Sequence, residues 1–317
     1  MDDAGRKNSL TLATLLALAL LTTPPQAPAK GTNSSGKAKP RPATRALAKD
    51  PAADPATPPS QAAGELVLAA DGATVIDGLT GEQLYEKNAG GRFYPASSTK
   101  ILTALLVIEA GDLDRLVTIT PEDTKVEPSA IGFKPGEQFT RRELLYALML
   151  KSANDVAQAL ARDNAGSIPA FAEKMTLRAT ALGANQSHFA NPHGLHHPEH
   201  YTTPHDLALI ARAAMQQPLF RQIVATVSHP WVTATGVTEL RNHNKLLWCP
   251  PWKFEGCTGL KTGYTVPAQQ VLVSAALRDH REVISVVMHS NKPGIWMDSK
   301  ALLTYGFSHL APQPRFD

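Results

Sequence analysis

Ser97 and Lys100 stand three residues apart in Pro95-Ala96-Ser97-Ser98-Thr99-Lys100, directly before the apolar run ILTALLVIEA. On a helix, positions i and i+3 share a face. A serine at the N-terminal end of that helix lies where the dipole favours a developing anion. A lysine in apolar surroundings beside another cation gives up its proton readily and can act as a base. The pair therefore reads as a nucleophile and its base. The plainer reading makes Ser97 an N-cap. A second S-x-x-K, Ser34 to Lys37, shows how little that spacing means alone.

Two further stretches carry chemistry. Ser152-Ala153-Asn154 offers a hydroxyl and an amide where a helix should break; by itself it is equally a cap or turn. Lys261-Thr262-Gly263 offers a cation and a hydroxyl for a carboxylate, and Gly263 leaves room for a substrate backbone; by itself it is equally a surface turn. S-x-N and K-T-G each occur once, and the order S-x-x-K, S-x-N, K-T-G is kept across intervals of 52 and 109 residues. That ordered set is the one found in class A β-lactamases and penicillin-binding proteins.

The elements that must position these residues follow from periodicity and punctuation. Residues 66–70, 73–77 and 83–87 read as short strands. Residues 97–110 read as a helix that is apolar nearly all round, hence buried, and stopped by Gly111. Thr140 to Glu143 forms a capping-box pattern before LLYALML, and a new helix, DVAQALARD, restarts beyond Asn154. A third helix covers 167–182, and Thr203 caps a fourth with Pro204 at its first position. Residues 270–277 and 282–288 are strands joined as a hairpin by RDHR, and a last helix covers 296–309. Strands at both ends with helices between predict one sheet built from the two ends of this region, plus a helical insert.

The 317 residues, 43% hydrophobic and 19% charged, suit a globular protein with ample core. Residues 1–62 hold eight Lys/Arg against four acids; taking that +4 from the chain's +3 leaves −1 for the remainder. The basic balance belongs to the front, so no nucleic-acid partner is expected. Arg6 and Lys7 precede a twelve-residue, largely apolar run (10–21), and Ala27-Pro28-Ala29 follows, which predicts an export signal over 1–29. A membrane contact is expected only if that segment stays uncleaved. Residues 30–62, rich in Ala, Pro and Lys, read as a disordered linker, and 63–317 as the folded domain. In an exported protein, Cys249 and Cys257 are a candidate disulfide.

The sequence resembles the serine-type D-alanyl-D-alanine carboxypeptidases of peptidase family S11, the low-molecular-weight penicillin-binding proteins. The stretches that carry this are ASSTKILTALL (96–106), LMLKSANDVAQALA (148–161), NPHGLHHPEHYTTPHDLALIARA (191–213), NHNKLL (242–247), GLKTGYT (259–265) and TYGFSH (304–309). The resemblance implies an α/β fold of the α+β type, similar to β-lactamases and transpeptidases: an antiparallel sheet flanked by helices, with an all-helical subdomain. It implies that Ser97 forms an acyl-enzyme with D-Ala-D-Ala and that Lys100 takes its proton. Ser152 would relay protons and, with Asn154, orient the substrate. Lys261, Thr262 and Gly263 would bind the terminal carboxylate, and the backbone N–H groups of Ser97 and Tyr264 would form the oxyanion hole. It implies peptidoglycan stem peptides as partners and β-lactams as covalent inhibitors. The export signal predicts a periplasmic or cell-wall location; no cofactor is expected, and no second β-domain is expected after residue 310, although some relatives have one.

One departure stands at Val266-Pro-Ala-Gln-Gln270, where many relatives carry Ala-Gly; it points to Gln269 as a place where substrate preference changes. Other functions fit less of the sequence. A DD-endopeptidase would use the same site on cross-links. A class A β-lactamase needs E-x-x-x-N between the second and third motifs, and none occurs in 155–260. A non-catalytic penicillin-binding wall protein would have a broken motif set. His193, His196, His197, His200 and His205 suggest zinc, but there is no H-E-x-x-H, and no metal is expected.

Overall fold

The computed structural model describes residues 66–311. The export-signal and linker segments lie outside these residues. The described chain opens on a hairpin, β1 (Gly72–Asp77) and β2 (Gln83–Lys87). A 3-10 turn over Ala96–Thr99 leads into α1 (Lys100–Glu109). The short strands β3 (Leu116–Thr118) and β4 (Gln138–Thr140) pair with each other before α2 (Arg141–Tyr146). Next come α3 (Asn154–Ala165), α4 (Ile168–Ala181), α5 (Pro204–Met215) and α6 (Pro218–Ala225). A second small hairpin, β5 (Ser228–Thr233) and β6 (Gly236–Arg241), precedes β7 (Cys257–Thr265), β8 (Gln269–Arg278) and β9 (Arg281–Ser290). Helix α7 (Gly294–His309) ends the described chain.

The main sheet is antiparallel with strand order β2-β1-β9-β8-β7. It joins the first strands to the last ones, as expected: β1 lies beside β9, with Thr74 opposite Val286. Successive side chains alternate faces in a strand. Val271, Val273 and Ala275 of β8 enter one core with α1 and α5, while Leu272 and Ala276 enter a second with Leu302 and Leu303 of α7. Both faces are covered, so β8 and β9 read as near-continuous apolar runs. The β8–β9 turn places Asp279 and His280 at φ +48 and +60, the two left-handed residues of a tight hairpin.

The helix signals hold where side chains cap. Thr140 accepts the Glu143 N–H at 3.2 Å, and Thr203 accepts the Asp206 N–H at 3.0 Å. Residues 66–70 are not a strand. The Ala69 and Ala70 N–H groups go to the Asp298 carboxylate at 3.1 and 2.9 Å, which ties this segment to α7 instead of to the sheet. The helical part is not all-helical, since it carries β3 and β4. The Cys249–Cys257 bridge is not formed either. Both thiols are free, Cys257 begins β7, and its Sγ–H donates to the Gly259 carbonyl at 3.5 Å. Burial pushes that thiol up to about 11, well away from thiolate chemistry. Among the described residues no helix is long and apolar enough to cross a membrane.

Candidate active site

Three chain segments converge on Ser97. The first is its own 3-10 turn. Neither this turn nor α1 has a side-chain cap, so Ser97 is not an N-cap. Ala96, just before it, holds φ +47, a left-handed conformation that an L-residue keeps only when its surroundings enforce it. The half-buried Ser97 hydroxyl lies 3.1 Å from Lys100 Nζ.

Lys100 is fully buried. Its Nζ donates to Asn154 Oδ1 at 2.6 Å and to the His193 carbonyl at 2.7 Å. Burial, then the neighbouring Lys261, hold its pKa well below the usual lysine value, while Asp155 opposes them weakly. A neutral amine has two N–H groups and one lone pair. Both carbonyls only accept, so they take the two N–H groups, and the lone pair is left facing Ser97. An amine so placed can take the Ser97 proton.

The second segment is the break between α2 and α3. A wide helical turn over Ala147–Lys151 ends in Ser152 at φ +63, and α3 starts at Asn154. Ser152 and Ser97 line the same cleft, of about 520 Å³. Asn154 turns the other way. Its Nδ2 donates to the Pro128 carbonyl at 2.5 Å, and its Oδ1 serves Lys100. Its contacts thus orient the lysine instead of reaching the cleft. Asp155, which the sequence motifs do not mark, accepts from the Ile131 and Gly132 N–H groups at 2.9 and 3.1 Å. It anchors the loop whose Pro128 and Ser129 form one cleft wall; burial raises its pKa against these hydrogen bonds.

The third segment is β7, one of the two edge strands of the main sheet. Thr262, Gly263 and Tyr264 line the cleft. Lys261 is buried beneath them, its ammonium on the Thr262 carbonyl at 2.9 Å and its pKa lowered by burial to about 7. It contributes a field to the cleft more than a direct contact. Gly263 has a different reason from the expected one. A Cβ there would stand 2.9 Å from Ser97 N and 3.1 Å from Ala96 Cβ. The missing side chain admits the protein's own nucleophile turn. Sequence reading also missed the side of the hairpin: Gln269, at φ +52, bonds back to Val266, and it is Gln270 that lines the cleft.

The histidine cluster serves the frame. His200 accepts the Ala190 N–H at Nδ1, so its neutral ring carries the proton on Nε2 and donates it to Thr99 Oγ1 at 2.8 Å. Burial lowers His193 and His200 to about 3. Among the described residues, no three His, Cys, Asp or Glu side chains form a group that could hold a metal ion.

A family model described as D-alanyl-D-alanine carboxypeptidase matches residues 58–292. The chain belongs to the peptidase S11 family. This S11 chain is 36% identical over 245 residues to a D-alanyl-D-alanine carboxypeptidase of Mycobacterium tuberculosis, covering 75% of this chain and 82% of that one. It is 35% identical over 270 residues to that of Streptomyces sp. strain K15, covering 79% and 91%. Of a Bacillus subtilis relative at 33% identity, it spans 59%. Among solved structures, a D-alanyl-D-alanine carboxypeptidase of M. tuberculosis matches with TM-score 0.74 at 34% identity, covering 80% of this chain and 97% of that one. The Streptomyces K15 DD-transpeptidase matches with TM-score 0.72 at 34% identity, covering 77% and 99%. The S11 fold is therefore that of the penicillin-binding peptidases.

Proposed function

We propose that the chain is an exported serine DD-peptidase that removes the terminal D-Ala from peptidoglycan stem pentapeptides through a Ser97 acyl-enzyme. Family membership makes it a D-alanyl-D-alanine carboxypeptidase of the penicillin-binding class. The observation that carries the residue assignment is the 3.1 Å approach of Ser97 Oγ to a buried lysine whose two other neighbours only accept.

Ser97 Oγ bonds to the penultimate D-Ala carbonyl carbon as its proton passes to Lys100. The oxyanion is held by the backbone N–H groups of Ser97 and Tyr264, donors typically worth about 3–4 kcal/mol each. The C–N bond then breaks, and the departing D-Ala amine receives the proton by way of Ser152. Water attacks the ester, Lys100 takes its proton, and Ser97 is freed. Thr262 and Gly263 face the terminal carboxylate, with the Lys261 charge behind them. A β-lactam presents the same carbonyl and acylates Ser97. Peptidoglycan lies outside the cytoplasm, in keeping with residues 1–29 as an export signal, 30–62 as a linker and 63–317 as the catalytic domain.

The test is a mixture of monomeric pentapeptide and cross-linked dimer muropeptides read by mass spectrometry. Loss of one D-Ala from the monomer is the expected result. Intact monomer with split dimer would reassign the site to an endopeptidase.

The pH profile follows from the two lysines. Lys100 must be neutral to accept a proton, so kcat/KM rises with pH through its depressed pKa. Lys261 must be charged to favour a carboxylate, so kcat/KM falls as pH passes about 7. The two limbs belong to the interacting pair. A bound carboxylate raises the Lys261 pKa, so the alkaline limb of kcat lies above that of kcat/KM. Rates from pH 5 to 10 check this; a profile with no alkaline limb would remove Lys261 from substrate binding.

A further inference from the structure

The cleft extends well beyond the reacting atoms. One wall is built by β6, the loop that follows it and the start of α7. Four cations line the cleft, Lys151, Arg241, Lys245 and Lys292, against a single carboxylate, Glu239. Among the described residues none of the four has a carboxylate within ion-pair distance.

Two of these cations are mounted. The Arg241 guanidinium lies 3.9 Å over the Trp248 ring, and Lys245 Nζ lies 6.0 Å from the Trp296 ring centre. The mounts are themselves fixed. Trp248 donates its indole N–H to the Asn242 carbonyl at 2.9 Å, and buried Asn242 donates to the Val224 and Thr226 carbonyls at 3.1 and 3.0 Å. Trp296 is buried in the second core. An aromatic face holds a cation without neutralising it, and a stacked guanidinium keeps its edge N–H groups for a carboxylate. Like charges focused in one cleft repel each other and raise the local concentration of anions.

We propose that Arg241 and Lys245 bind a carboxylate of the stem peptide upstream of the scissile D-Ala-D-Ala, so that the enzyme selects stems with a free carboxylate over amidated stems. This rests on the reading of the cleft as a DD-peptidase site. The terminal D-Ala carboxylate belongs to the leaving side, at Thr262 and Gly263. An extended peptide advances about 3.3–3.6 Å per residue. A carboxylate one to three residues upstream therefore lies roughly 3–11 Å from the scissile bond, in the cleft that Arg241 and Lys245 line.

The experiment compares kcat/KM of the full chain for two pentapeptides that differ only in a stem carboxylate or its amide. Competent sites are titrated with a fluorescent penicillin, which has no stem. The carboxylate form should be preferred about tenfold at 50 mM salt, mostly through KM, and about twofold at 0.5 M, as screening predicts. The double variant Arg241→Gln/Lys245→Gln should lower the ratio to about one, and Arg241→Lys should keep only part of it, because an ammonium cannot present the paired edge N–H groups of a guanidinium stacked on Trp248. Equal turnover of both peptides by the wild type overturns the inference and leaves the DD-peptidase standing. A full preference kept by the double variant overturns it too. Failure to turn over either peptide, with no penicillin acylation, overturns the DD-peptidase reading and the inference with it.

Discussion

Ser97→Ala is expected to lower kcat by about 10⁴-fold or more and to abolish covalent labelling by penicillin, while the melting temperature stays within a degree or two. The loss is that of a nucleophile whose partners remain in place, and such losses approach those of removing the whole catalytic group. The stability expectation is separate. Ser97 is half-buried, caps nothing, and has Lys100 as its hydroxyl's neighbour. Lys100 keeps its bonds to Asn154 and His193 when the hydroxyl goes. Labelling by a fluorescent penicillin and a thermal scan on the same preparation decide the matter. Retained labelling in a folded variant would move the nucleophile to another residue.

Gly194→Ala should be the most damaging single methyl in the catalytic half. Gly194 holds φ +87, and a Cβ built there would stand 1.8 Å from the Ala96 carbonyl oxygen and 2.9 Å from Thr99 Oγ1. Both obstacles belong to the turn that carries Ser97, and the nearer one is backbone, which has no rotamer to escape into. The next residue back, His193, supplies the carbonyl that holds Lys100. Moving the loop therefore costs the clash, the left-handed strain and the lysine's orientation together. Overpacking and left-handed strain each cost about 1–3 kcal/mol, so the two together cost about 3–5 kcal/mol. For a domain of this size that is roughly a 10 °C fall in melting temperature. Calorimetry of the variant checks it, and a change under 2 °C would show that the loop and the nucleophile turn do not touch.

The site was legible where it is written in short, contiguous patterns. Ser97 and Lys100 share a turn, and Lys261, Thr262 and Gly263 share a strand, so the ordered set of motifs, and no single spacing, pointed to segments that the fold brings together. The caps at Thr140 and Thr203 are equally local. What stayed hidden depends on contacts between distant residues. Nothing near Lys100 announces that Asn154 and the His193 carbonyl will hold its amine, because both arrive from other elements. Gly263 was correctly marked as a close approach, but the approaching backbone is the chain's own. Gln269 and Gln270 differ by one position, and in a hairpin one position decides between the turn and the cleft. Residues 66–70 have the composition of a strand, and only Asp298, more than two hundred residues on, diverts their N–H groups. The Cys249–Cys257 spacing permits a loop but says nothing about where the sulfurs point.

The strand order β2-β1-β9-β8-β7 has a consequence for how the protein comes into being. The first strands leave the ribosome some two hundred residues before β9, the strand that β1 must pair with. Long-range pairing of this kind is slow to form and cannot begin early in synthesis. Until β9 is made, β1 and its hairpin partner have no sheet to join, and the edge strand that must close over Ser97 is also still to come. Formation of the active site is therefore a late, whole-chain event, completed only when the last strands of the sheet have been made.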